Sequence, residues 1–146
     1  MPKKNAVKKA GKLNPKWILL AGRVLVAILF LVSGWGKMGD LHGTAAFMAS
    51  AGMPLASDWL ACLAGILEIA GGLALLVGWK ARQAVAILAG YLVLATYFIH
   101  LVPVWKMEAG FARTAGMMHV YLNLGLLGGL LAMFVSGPGA ISVDKK

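Results

Sequence analysis

Apolar residues in this chain fall in four long blocks rather than in short periodic stripes. The sequence runs from Trp17 to Trp35 with only Arg23 charged inside, and from Trp59 to Trp79 with only Glu68 inside. A third block, about Ala84 to His100, and a fourth, Met117 to Val135, carry no Asp, Glu, Lys or Arg. A helix of about 20 apolar residues crosses a hydrocarbon layer of about 30 Å, so each block predicts a membrane-spanning helix. Tryptophans bracket the first two spans, where amphipathic rings suit the headgroup level.

The connections sharpen this reading. "WKARQ" (79–83) is too short for anything but an antiparallel hairpin between spans two and three. The segment 37–58, the longest connection, is small and glycine-rich. Pro103 is expected to end the third helix, leaving Trp105 and Phe111 to lie at the interface, and "SGPG" (136–139) to end the fourth. "GGLALLVG" (71–78) and "GGLLAMFVSG" (128–137) stand at matching places in spans two and four. Two hairpin repeats explain the match, and so does the frequency of glycine pairs in packed membrane helices. The expected fold class is all-α: a polytopic membrane four-helix bundle over 17–144, with a basic tail at 1–16 and a short tail at 145–146.

Composition agrees, with 60% hydrophobic and 13% charged residues and a mean hydropathy of +0.81. A net charge of +9 in a soluble protein would point to nucleic acid. Here six lysines (Lys3, Lys4, Lys8, Lys9, Lys12, Lys16) precede the first span and read instead as an anchor on anionic lipid, so no nucleic-acid partner is implied. With Lys80, Arg82, Lys145 and Lys146 they place ten basic residues on one side, against Lys37, Lys106 and Arg113 on the other. The positive-inside rule then puts both termini in the cytoplasm of a prokaryotic cell with the chain multi-pass in its inner membrane. A lysine-rich head before an apolar run also raises a signal peptide. The run is too long for one, Arg23 interrupts it, and no small-residue cleavage pattern follows. A single thiol, Cys62, rules out dithiol chemistry within the chain. The methionines lack ligand spacing and read as packing.

Candidate chemistry starts from Glu68. A carboxylate facing lipid costs about 2.5–3.5 kcal/mol on insertion scales, so Glu68 must face protein or water. Gly65, Gly71 and Gly72 share its helix face and let a neighbouring backbone approach; Gly125, Gly128 and Gly129 are expected to pack span four in the same way. Arg23, the other charge within a span, is the expected partner of Glu68, although nominal depths leave about 9 Å between them along the membrane normal. The pair has two readings, a structural ion pair or, if it does not form, a protonated acid that handles protons.

Thr96 and His100 are i, i+4 on span three, as are His119 and Asn123 on span four. With Glu68 they predict a polar pocket in the outer half of the bilayer, with Tyr97 beside it and Lys37 and His42 at its mouth. A quinone headgroup suits such a pocket, since histidine, tyrosine and a buried acid offer hydrogen bonds and a proton route. Haem on His100 and His119 is disfavoured because both lie at helix ends, and a metal on two histidines with Glu68 or Glu108 lacks supporting spacing. Interfacial histidines bonded to backbone or headgroups are the bland alternative.

As a set the residues are familiar. "RVLVAILFLVSGWGKMGDLHGTAAFMASAGMP" (23–54), "LEIAGGLALLVGWKAR" (67–82), "ATYFIH" (95–100) and "NLGLLGGLLAMFVSGPGAISVD" (123–144) resemble the DoxX family over about residues 19–144. The resemblance implies a compact four-helix membrane bundle of prokaryotic type. It also implies association with membrane redox complexes, since the family takes its name from a small subunit associated with a terminal quinol oxidase and a thiosulfate:quinone oxidoreductase. Many members carry a lysine before the asparagine of helix four, where this chain has Leu122. The expected function is therefore an accessory subunit of a quinone-linked redox complex, needing protein partners for electron transfer and not a stand-alone enzyme. A proton- or cation-coupled transporter using Glu68, and a purely structural subunit, are the alternatives; a homo-oligomer is compatible with each.

Overall fold

The computed structural model describes residues 14–144. The basic tail up to Leu13 and the two final lysines, and with them the expected lipid anchor, lie outside the described residues. Among the described residues there are six α-helices: α1 (Pro15–Gly39), α2 (Leu41–Ser50), α3 (Asp58–Val77), α4 (Ala81–Ala95), α5 (Val102–Lys106) and α6 (Phe111–Ser136). A π-helical turn, Thr96–Leu101, joins α4 to α5. Four continuous stretches are long and apolar enough to cross a membrane: Pro15–Gly39, Asp58–Val77, Ala81–Lys106 and Phe111–Ser136. The bundle has a terminal end, which holds both ends of the described chain, and an opposite, distal end.

Local chemistry sets the helix ends. Asn14 accepts from the Lys16 amide and Pro15 opens α1, where its missing N–H costs nothing. Ser57 caps α3 through the Leu60 amide. At the other end of α3, Gly78 takes a left-handed conformation (φ 71°), and the Trp79 and Gly78 amides bond back to Ala74 and Leu75, a Schellman closure. The 37–58 connection is not merely a loop. Asp40 receives the Gly43 amide at 2.8 Å and starts α2, whose Ala45 and Met48 are buried against Ala61 and Ala64 of α3. This short helix covers the distal end of α3, a role that no strong periodicity announces.

Pro103 does not end the third span. The Val102 amide donates to the Tyr97 carbonyl, five residues back, and Pro103 then falls in the first turn of α5, where no donor is required of it. The wide turn thus carries the helix past the proline to Lys106.

Glycines make one interface unusually close. A Cβ on Gly34 would sit 2.8 Å from the Gly65 carbonyl and 3.0 Å from the Glu68 Cβ, and one on Gly72 would meet Leu31 and the Ala27 carbonyl. Helices α1 and α3 therefore touch backbone to backbone, as small residues permit in membranes. Gly71 instead receives Leu88 of α4. The main core, Val26, Phe30, Leu75, Val85, Leu88 and Leu130, fills the space among α1, α3, α4 and α6. Gly125, Gly128 and Gly129 do not repeat this pattern: a Cβ at each would meet nothing within 4 Å. Helix α6 packs through Val120, Leu130 and their neighbours and turns these glycines away from the bundle. The two glycine pairs that match in sequence therefore do different work.

Arg23 is the largest departure from expectation. It does not pair with Glu68. Its guanidinium donates to the carbonyls of Pro138, Ile141 (2.6 Å) and Leu76 (3.4 Å), all at the terminal end. Leu76 lies eight residues below Glu68 on α3, about 12 Å along the axis, which puts the acid out of reach. The segment after α6 is thereby folded back as a strap. The Val143 and Asp144 amides bond to the Val77 and Gly78 carbonyls, and the Asp144 carboxylate accepts from the amides of Lys80 (2.9 Å) and Ala81 (3.0 Å). Asp144 thus caps α4, which has no cap of its own, with an anion at a helix N-terminus.

Two outcomes are expected. Replacing Arg23 by Leu removes charged hydrogen bonds worth about 1.5–3 kcal/mol and should both lower the melting temperature in detergent and expose the strap to protease. The amides of Ala81 and Lys80 hold the Asp144 carboxyl below the usual carboxylate range. Its contribution is therefore complete above that range and is lost as pH falls through the lowered value. Amide exchange at Lys80 and Ala81 should accelerate in that acid window in the native chain, and be fast and pH-insensitive beyond intrinsic exchange in Asp144→Asn.

Candidate functional site

The close α1–α3 contact determines what faces Glu68. Gly34 and Gly65 bring the two backbones together one turn from the acid, and Lys37, one turn further along α1, folds over it. Lys37 Nζ donates to Glu68 Oε1 at 3.1 Å and Oε2 at 2.9 Å, and to Ser33 Oγ at 2.7 Å. The Glu68 side chain is 5% exposed and that of Lys37 19%. Lys37 is thus not at a pocket mouth but is the partner of the buried acid. Its position near the end of α1 lets the stem lie along apolar surface while the ammonium reaches inward.

The pair forms one wall of a cavity of about 1110 Å³. This exceeds the about 300–1,000 Å³ usual for small-molecule sites. Most of the lining is aliphatic or aromatic, from α1, α2, α3, α4 and α6. Polar groups are few and gathered: Lys37, Glu68, Tyr91, His100, His119 and Asn123, with Ser33, Asp40 and Thr44 beside them. The imidazoles of His100 and His119 stack with centroids 5.4 Å apart and planes at 21°. Asn123 Nδ2 donates to Thr96 Oγ1 at 3.0 Å, and that hydroxyl donates to the Leu92 carbonyl at 2.6 Å. Thr96 and His100 both lie in the π turn, four residues apart and so on one side of it.

Of the residues expected from sequence, Glu68, His100, His119 and Asn123 meet at this cavity, and Thr96 supports it through Asn123. Tyr97 is exposed and stacks edge-on against Phe98 outside the lining. His42 also lies outside it, on the surface with Nδ1 3.4 Å from Asp58. Arg23 belongs to the strap. Tyr91 is the residue that sequence reasoning missed: it lines the cavity and its hydroxyl lies close to the Glu68 carboxylate. Its signal was there, a lone tyrosine in an apolar run one turn and a half before Thr96. Among the described residues no three of His, Cys, Asp and Glu converge as a metal set.

Known proteins resemble this chain in sequence. The DoxX family profile matches residues 18–101, which include all but the first turn of α1, α3, the π turn and every cavity group named above except His119 and Asn123. The chain belongs to the DoxX family. Inner membrane protein YqjF of Escherichia coli strain K12 is similar to it, 33% identical over 127 residues that cover 87% of this chain and 89% of that one. Inner membrane protein YphA of the same organism is 31% identical over 131 residues, 88% and 89% of the two chains. An uncharacterized protein of Haemophilus influenzae is 30% identical over 129 residues, 85% and 86%. No solved structure matches. The chain is an integral membrane protein of this family.

The ion pair is testable by a mutant cycle. Lys37→Met leaves a buried carboxylate without a partner and should cost about 3 kcal/mol in detergent unfolding, whereas Lys37→Met with Glu68→Leu should recover at least half of that loss. Additive losses would mean that the two side chains do not interact.

Proposed function

We propose that this DoxX-family member is an accessory subunit of a quinone-linked redox complex in the inner membrane, with both termini cytoplasmic, and that its cavity holds the quinone. The observation that carries the reading is the composition of that cavity: a large apolar volume at membrane depth with one cluster of hydrogen-bonding and proton-bearing groups. A quinone ring needs apolar walls for its faces and donors for two carbonyl oxygens. Tyr91, His100 and His119 supply donors, and Glu68 and the histidines supply sites for the protons that reduction takes up. The chain has a single thiol and no metal set among its described residues, so in this reading electrons come from a partner.

The ion pair also favours binding over cation transport. Lys37 already occupies both oxygens of Glu68, so a transported cation would have to displace a tethered ammonium.

The protein isolated in mild detergent should yield a quinone on extraction and bind added quinone when stripped. Tyr91→Phe, which removes one hydroxyl and keeps the ring, should weaken that binding about fivefold to tenfold. A preparation that yields no quinone and binds none, with or without the co-purifying chains, contradicts the proposal.

A further inference from the structure

Helices α1 and α6 meet at the terminal end. There Met133 approaches Gly22, Leu19 lies against Gly139, and Arg23 ties α1 to the strap that follows α6. Towards the distal end each turns a continuous stripe to the cavity. On α1 the stripe is Leu29, Ser33 and Gly36, spaced 4 and 3 residues, with Asp40 just beyond the helix; on α6 it is His119, Leu122 and Leu126, spaced 3 and 4. Two of these leucines line the cavity and the outer surface at once, for Leu29 is 56% exposed and Leu122 is 64% exposed. A residue that borders both is at an opening. This opening faces sideways, at a depth where the chain's surroundings are hydrocarbon. At the distal end α2 lies over α3 with Ala45 and Met48 buried. At the terminal end the strap fills the corresponding position.

The order of groups inward from the gap is also directional. Leu29 and Leu122 come first, with His119 on the same α6 stripe, and the Lys37–Glu68 pair, Tyr91 and His100 come behind them. An amphiphile that arrived from the bilayer would meet a surface like its own tail until its head reached the donors.

We infer that the cavity is loaded sideways from the bilayer through the gap between α1 and α6, and that the ligand's hydrocarbon tail remains in that gap between Leu29 and Leu122. This rests on the quinone reading of the cavity and adds to it that the ligand is long-tailed and keeps its tail in contact with lipid. The head alone would bind weakly, since the leucines of the gap contribute only when a tail covers them.

The test uses the full chain in lipid nanodiscs and two probes, a long-chain ubiquinone and the same ring without its isoprenoid tail. Leu29→Trp and Leu122→Trp narrow the gap; Leu131→Trp, on an exposed α6 position away from the cavity, is the control. Because all three positions are exposed, the substitutions leave the core intact. Expected is a loss of about tenfold in affinity for the long-chain quinone in both gap variants, with ring-only binding and the control unchanged. Unchanged long-chain binding in the gap variants overturns the sideways route while leaving the quinone reading in place. Equal loss of both probes also overturns it, because the added bulk would then act on the head's site. A native chain that binds neither probe removes both the route and the reading beneath it.

Discussion

A carboxylate held inside a membrane bundle has to be matched, and the rest of this structure is arranged around how Glu68 is matched. Lys37 supplies the counter-charge from the distal end of α1, where a long stem can snorkel inward. That requires α1 and α3 to run close together, and Gly34, Gly65 and Gly72 make the approach possible. Taking two ions out of water is costly, and their attraction offsets the cost only where the geometry is good and the remaining donors are satisfied. Ser33 accepts the proton of Lys37 that Glu68 does not use.

The tight α1–α3 seam has a consequence on the other side of α1. A helix drawn against one neighbour along its length is not equally close to the next, and towards the distal end both α1 and α6 line the cavity. At the terminal end Arg23 and Asp144 bind the strap across α1, α3 and α4. The bundle is therefore tied at its terminal end by hydrogen bonds to charged groups, and the cavity with its polar cluster lies towards the other. The cavity results from this asymmetry, and its polar groups come from four helices that the tied end keeps in register.

Much of this was legible in the sequence. The four spans are visible as runs between charges because the bilayer sets their length, and the glycines beside Glu68 mark a close approach because lipid forbids the acid any other surroundings. The partner of that acid was not legible from nominal depth. Arg23 and Glu68 look like a pair because they are the charges within spans, yet Arg23 finds carbonyls 115 and 118 residues away that no periodicity reveals. Lys37 looks like a boundary residue because its Cα is one; only the reach of its side chain makes it internal. Tyr91 hides in an apolar run, and α2 and the π turn depend on tertiary contacts and on Pro103. On α6 the glycines share their spelling with those of α3 but not their surroundings, which is why the apparent repeat carries no shared packing.

Inside the bundle Lys37, and not Arg23, neutralises Glu68. Solid-state NMR of the protein in lipid bilayers, with nitrogen-15 on the lysine and arginine side chains and carbon-13 on the glutamate carboxyls, measures this through dipolar dephasing. The pairing requires strong dephasing of the Glu68 carboxyl carbon by Lys37 Nζ, as expected for contacts of 2.9 and 3.1 Å to its oxygens, and none by the Arg23 guanidinium. A Glu68 carbon that Lys37 leaves undephased, or that Arg23 dephases instead, contradicts it.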